Sequence, residues 1–108
     1  MHYRLTIYVI IMSMSEQVKQ TIALYSYIDK SPYLSQLQAE EAREYARVGE
    51  WAISLEHICL CVAYNLSKQN KHLSKTEIKT LETLVTIVEE EEEGEAFHRD
   101  YFKVVVDR

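Results

Sequence analysis

Turn-forming residues are scarce in this sequence, which has only two glycines and one proline among 108 residues. A β-sandwich or a β-barrel needs such residues at many turns, so their scarcity favours helices. The length is enough for one domain with a real hydrophobic core. We therefore predict a single domain over residues 1–108 of the all-α class, a compact bundle of about four helices.

Acidic residues outnumber basic ones, 17 to 12, and the formal net charge is −5. Phosphate binding needs a basic surface, so direct binding of nucleic acid is disfavoured and a basic protein is favoured as the partner. Cys59 and Cys61 are two positions apart on a predicted helix, point about 200° away from each other and cannot easily pair. We interpret them as small apolar core residues of a cytoplasmic protein.

The first residues contain a short apolar run, which is far too short to span a membrane. Alternation in residues 2–11 fits a half-buried strand, while another apolar stripe fits a helix that continues into the next segment. No small-residue cleavage site of a signal peptide follows. Both conformations remain open, and Met12 and Met14 allow residues 1–12 to be a peripheral extension.

The stretch 50–66 is the predicted central helix. Trp51, Leu55, Ile58 and Val62 recur at the spacing that places side chains on one helix face. The opposite side is also poor in charge, with apolar residues at Ile53, Leu60, Cys61 and Tyr64. A helix that is apolar almost all round is expected to have other helices packed on several flanks.

Three further helices surround it in this prediction. Ser13 and Glu16 form a capping box for a helix over about residues 14–29, and Ser74 with Glu77 forms another for the last helix. The second helix has Ser31-Pro32 in its first turn and ends at Gly49. Its predicted inner face contains Leu34, Leu37, Ala42, Ala46 and Val48. In the tail, the alternation of Phe102, Val104 and Val106 fits a short terminal strand.

No catalytic constellation emerges from the sequence. The four histidines are scattered, no His or Cys spacing matches a zinc site, and no glycine-rich loop can cradle a phosphate. We interpret His57, on the central helix, as a hydrogen-bonded core or boundary residue. We therefore predict no enzyme activity, no catalytic residue, and no cofactor or metal site.

Acidic residues are the candidates for contact with a partner. Glu89, Glu90, Glu91, Glu92 and Glu93 stand in succession at the unfavourable, negative end of a helix dipole. A solvated helix end is one interpretation of this run, and an anionic clamp for a cationic partner is the other. Glu40, Glu41 and Glu44 face outward on the second helix, with Tyr33 and Tyr45 as possible aromatic anchors beside them.

One group of residues begins at the junction of the second and central helices and continues past the following loop: Gly49-Glu50-Trp51, Leu55-Glu56, Ile58-Cys59, Leu66, Leu73-Ser74 and Glu77. In these residues the chain resembles the MafI-type immunity proteins of bacteria that deploy polymorphic toxins, including contact-dependent growth inhibition systems. The resemblance covers about Ala46 to Leu84, with Ser54 at a position where such proteins often have alanine.

This resemblance implies a helical, cytoplasmic, non-enzymatic protein that binds and blocks the C-terminal toxin domain of a cognate effector. Such toxins are often nucleases, and a ribonuclease, of the RNase A-like type among others, is the preferred expectation. We expect a monomer that inhibits this ribonuclease. The alternative is a helical adaptor or dimerisation module that uses its N-terminal apolar stretch, and a metal-dependent or hydrolytic enzyme is the least favoured class.

Overall fold

The computed structural model describes residues 19–90 and 96–107, which contain helices and no strand. The first helix, α1, is described over residues 19–30. Four more follow: α2 (Gln36–Arg47), α3 (Trp51–Gln69), α4 (Lys75–Glu89) and α5 (Asp100–Val106). The predicted all-α bundle is confirmed, while residues 1–12 and the Ser13 capping box lie outside the described part.

Local sequence signals explain where these helices begin and end. The hydroxyl of Ser74 accepts from the backbone N–H of Glu77, whose side chain accepts from the Ser74 N–H, as predicted for α4. Ser35 and Gln38 make the same reciprocal pair at the start of α2, so this helix begins after Ser31-Pro32 rather than at it. Gly49, at φ 84°, follows α2 in the left-handed conformation that glycine adopts without strain.

Helix α3 is the centre of the bundle, and α2, α4 and α5 all contact it. Leu55, Ile58 and Val62 are fully buried and Trp51 is nearly so, which confirms the predicted core face. Helices thus pack on several flanks of α3, as predicted, while Leu60 and Tyr64 on its other side remain 50% and 59% exposed. Leu60 lies about 200° around the helix from Ile58, so it points out of the bundle.

Helices α2 and α3 pack closely and run antiparallel. The buried residues of α2 are Ala39, Ala42 and Ala46, whose small side chains permit close approach. Within this contact the buried Ser54 hydroxyl of α3 donates to the Ala42 carbonyl at 2.8 Å. Leu37 and Val48, predicted for the inner face, are exposed instead. They lie about 140° and 120° around the helix from Ala42, outside the buried sector.

One end of the bundle is joined by a short hydrogen-bonded chain. The indole Nε1–H of Trp51 donates to Thr21 Oγ1 at 3.0 Å, and that hydroxyl donates to the Ala46 carbonyl at 3.3 Å. The contact links α3, α1 and α2 through three residues. At this end of the bundle, the fold therefore fixes the start of α3 beside the end of α2.

The predicted terminal strand is wrong, since residues 100–106 form helix α5. Phe102 and Val105 are buried three positions apart, whereas Val104 is 53% exposed. Helical spacing lets both buried residues pack on α3. A helix also pairs its own backbone groups, whereas a lone strand would leave them without partners. Within residues 19–90 and 96–107, no helix has the length and apolar content needed to cross a bilayer.

Candidate protein-binding surface

The outer side of the α2–α3 pair carries several of the predicted contact residues. We define the α2–α3 face as Leu37, Glu41 and Tyr45 of α2 together with His57, Leu60 and Tyr64 of α3. The α2 residues recur every four positions and the α3 residues every three or four, so each set lies along one side of its helix. The face is therefore a two-helix surface with apolar and acidic groups.

His57 connects the two helices in the middle of this face. Its Nε2 lies 3.3 Å from Glu41 Oε2, and its ring meets the ring of Tyr45 edge-on with centroids 5.9 Å apart. The structure thus brings together two predicted contact residues, Glu41 and Tyr45. It also places His57 at the boundary of the core, where its side chain is 23% exposed.

Hydrogen bonds fix the register of the face at the end where Leu37 lies. The Asn65 amide on α3 donates to Gln38 Oε1 at 2.8 Å and to the Tyr33 carbonyl at 2.7 Å. These contacts hold the start of α2 against the last turns of α3. Leu37 and Tyr64, which neighbour this pair in sequence, therefore lie at the same end.

The α2–α3 face exposes several large apolar groups. Leu37 is 64% exposed, and Leu60, Tyr64 and Tyr45 are 50%, 59% and 38% exposed. A single exposed leucine is ordinary, but a group on one face is typical of an interaction surface. Sequence reasoning missed Leu60 and Tyr64 as contact candidates, although their apolar character on the outer side of α3 was the available signal.

The acidic residues of α2 differ in how far the chain neutralises them. Glu44 is bound by the Arg47 guanidinium, with Arg47 Nε 3.0 Å from its carboxylate, and this contact lowers the pKa of Glu44. Glu40 accepts a long hydrogen bond from the Gln36 amide, and Glu41 faces His57. In residues 19–90 and 96–107, neither Glu40 nor Glu41 forms an ion pair with lysine or arginine.

The glutamate run at the end of α4 is partly bound by cations of the same chain. The Arg99 guanidinium donates to both carboxylate oxygens of Glu89, at 2.9 and 2.6 Å. The Lys19 ammonium lies 2.7 Å from Glu90 Oε2. These pairs connect α4 to the segment before α5 and to α1. Residues 91–93 lie outside the described part, and the anionic clamp stays a prediction.

Tyr33 faces a different part of the molecule. Its hydroxyl hydrogen-bonds the Glu77 carboxylate, which raises the pKa of Tyr33 and contributes to lowering that of Glu77. It lines a groove of about 330 Å³ between α1 and α4, together with Tyr27, Thr80 and Leu84. The structure therefore does not bring the Tyr33 side chain to the surface that contains Glu41 and Tyr45.

A thiol also lies near His57, but the geometry does not activate it. Cys61 Sγ is 3.7 Å from His57 Nε2, the same nitrogen that faces Glu41. In a catalytic triad the acid and the nucleophile contact different ring nitrogens. Burial raises the pKa of Cys61, and it raises the pKa of Cys59 to about 12, so both thiols keep their protons. The described residues contain no group of three acidic, His or Cys side chains placed to hold a metal ion.

Comparison with family models, with curated proteins and with solved structures found no match to this chain. The resemblance to MafI-type immunity proteins, carried by residues around the α2–α3 junction and the start of α4, therefore stays a prediction. The geometry offers a candidate surface, on which the Glu41 carboxylate lies next to aromatic rings and on which apolar groups are exposed.

Proposed function

We propose that this chain is an immunity protein that binds the toxin domain of a cognate bacterial effector and neutralises it. In this proposal it acts in the cytoplasm, as a monomer, without enzymatic activity, cofactor or metal. The observation that carries the proposal is the acidic edge of α2, where Glu40 and Glu41 are exposed and have no lysine or arginine partner among the described residues. Such an edge suits a cationic protein.

The toxin in this proposal is a nuclease, and a ribonuclease of the RNase A-like type is the preferred candidate. A nuclease site is lined with cationic groups that hold phosphates, and carboxylates presented at the same spacing can occupy it. The net charge of −5 also favours a basic partner, because complementary fields raise the association rate. Fast capture is useful for an inhibitor that must act before RNA is cut.

The experiment uses the full chain and the toxin domain encoded by the neighbouring reading frame. We expect the purified chain to bind that domain, to suppress its RNA cleavage at equimolar concentration, and to restore growth of cells that express it. An unrelated acidic helical protein of similar net charge serves as the control. Absence of binding and of growth rescue by the wild-type chain would overturn the proposal.

The polyglutamate run is tested separately. Replacing Glu89 to Glu93 with glutamine should weaken toxin binding and flatten its salt dependence if this run contacts the toxin. Because Glu89 and Glu90 already pair with Arg99 and Lys19, thermal melts of the same variant are needed to separate a folding defect from a binding defect. Unchanged affinity and salt dependence would exclude the clamp and leave α2 as the acidic contact.

A further inference from the structure

We infer that the toxin docks on the α2–α3 face, with a cationic side chain at Glu41 and an apolar side chain between Leu60 and Tyr64. This inference rests on the proposed function and names the surface and the chemistry of the partner. The contact would thus combine charge with burial of apolar area. It would not depend on the end of α4.

The apolar half of the contact follows from the exposed apolar residues of α3. Its core face is fully used by the bundle, yet Leu60 and Tyr64 on the other side remain half exposed or more. Leu60 and Tyr64 are four positions apart and lie side by side on the helix. A partner side chain seated there would remove leucine and tyrosine from water, and tyrosine is among the residues that most often dominate binding energy.

The charged half follows from the uneven pairing of the acidic residues. Arg99 holds Glu89 and Lys19 holds Glu90, so a partner at those positions must replace existing ion pairs. Within residues 19–90 and 96–107, Glu41 pairs with His57 and Glu40 accepts from the Gln36 amide, and neither pairs with lysine or arginine. A cation from the toxin therefore gains more at α2 than at the described end of α4.

Charge also decides which occupant fits the face. A second copy of this chain would carry its own net charge of −5. A two-fold dimer through this face would bring the two α2 carboxylate rows into one interface, where like charges repel. A basic protein surface with an exposed apolar side chain avoids this repulsion, and we infer that this is the partner.

The test measures affinity of the full chain for the toxin domain by calorimetry. Leu60→Ser combined with Tyr64→Ser should weaken binding by about 30-fold or more, as expected for anchors at the centre of a contact. Val104→Ser is the matched control, because Val104 is 53% exposed on α5. It should bind as wild type, and melting curves should show that both variants are folded.

The charge variant has its own control. Glu41→Gln should lower the affinity about tenfold and reduce its dependence on salt. Glu82→Gln, at an exposed position of α4, should change neither. A photo-crosslinking residue at position 60 should label the toxin.

The outcomes separate this inference from the proposed function. A wild-type chain that fails to bind the toxin removes the proposed function and this surface with it. A wild-type chain that binds, with serine and glutamine variants as tight as their controls, overturns the α2–α3 face and leaves the function standing. A crosslink from position 60 to a second copy, or to this chain's own residues, also overturns it.

Discussion

Replacing Leu55 with alanine tests whether α3 stabilises the bundle through one side only. Leu55 is fully buried, whereas Leu60, on the same helix, is 50% exposed. Deleting a buried leucine side chain typically lowers the free energy of unfolding by about 3–5 kcal/mol, because a cavity remains. A domain of this size has roughly 5–15 kcal/mol in total, so Leu55→Ala should remove a large part of it. Leu60→Ala should cost less than about 0.5 kcal/mol.

Urea unfolding followed by far-ultraviolet circular dichroism measures both variants. With a slope of about 1–3 kcal/mol per molar urea, a loss of 3 kcal/mol moves the midpoint by about 1–3 M. Leu60→Ala should leave the midpoint nearly unchanged, and its toxin affinity should still fall. Equal midpoint shifts for the two variants would refute the view that the Leu60 side of α3 is free of structural contacts.

Three further predictions concern the core. Val105→Ala should lower the free energy of unfolding by about 2 kcal/mol in urea titrations, and Val104→Ala by less than about 0.5 kcal/mol. If the tail were the alternating strand with Val104 on its buried side, Val104→Ala would be the more destabilising of the two. Ser54→Ala should cost about 0.5–1.5 kcal/mol by the same measurement, since it removes the buried hydrogen bond to Ala42; no change would mean that this bond contributes nothing. Folding raises the pKa of Cys59 from 9.0 to about 12, so its contribution to stability is complete below pH 9 and is lost as the pH rises towards 12. Between pH 9 and 11, the free energy of unfolding should therefore fall less steeply with pH in Cys59→Ala than in wild type. The two slopes should differ by at most about 1.4 kcal/mol per pH unit, and parallel pH profiles would contradict the prediction.

The centre of the fold could be predicted because its signal is local and redundant. The spacing of Trp51, Leu55, Ile58 and Val62 fits a helix and no strand, and Ser74 with Glu77 marks the start of α4. The tail is different. Phe102, Val104 and Val106 fit a strand, while Phe102 and Val105 fit a helix equally well. Only the presence of α3 beside the tail decides between them, and a sequence window contains no information on that neighbour.

The candidate site was predictable in its residue types and less so in its assembly. Glu41 and Tyr45 were predicted as contact residues from charge and aromatic character, but their meeting with His57 depends on the antiparallel packing of α2 and α3. The exposure of Leu60 depends on which sides of α3 the other helices leave open. Tyr33 was grouped with Tyr45 by sequence, and its bond to Glu77 takes its side chain to another groove.

The hydrogen-bonded chain from Trp51 through Thr21 to Ala46 has a practical consequence, because Trp51 is the only tryptophan of the protein. All indole fluorescence therefore originates at a junction where α1 meets α2 and α3. Loosening of α1 from this junction would hydrate the indole and shift its emission to longer wavelengths, even while the rest of the bundle stays intact. The native chain thus carries its own optical reporter for the attachment of its first helix.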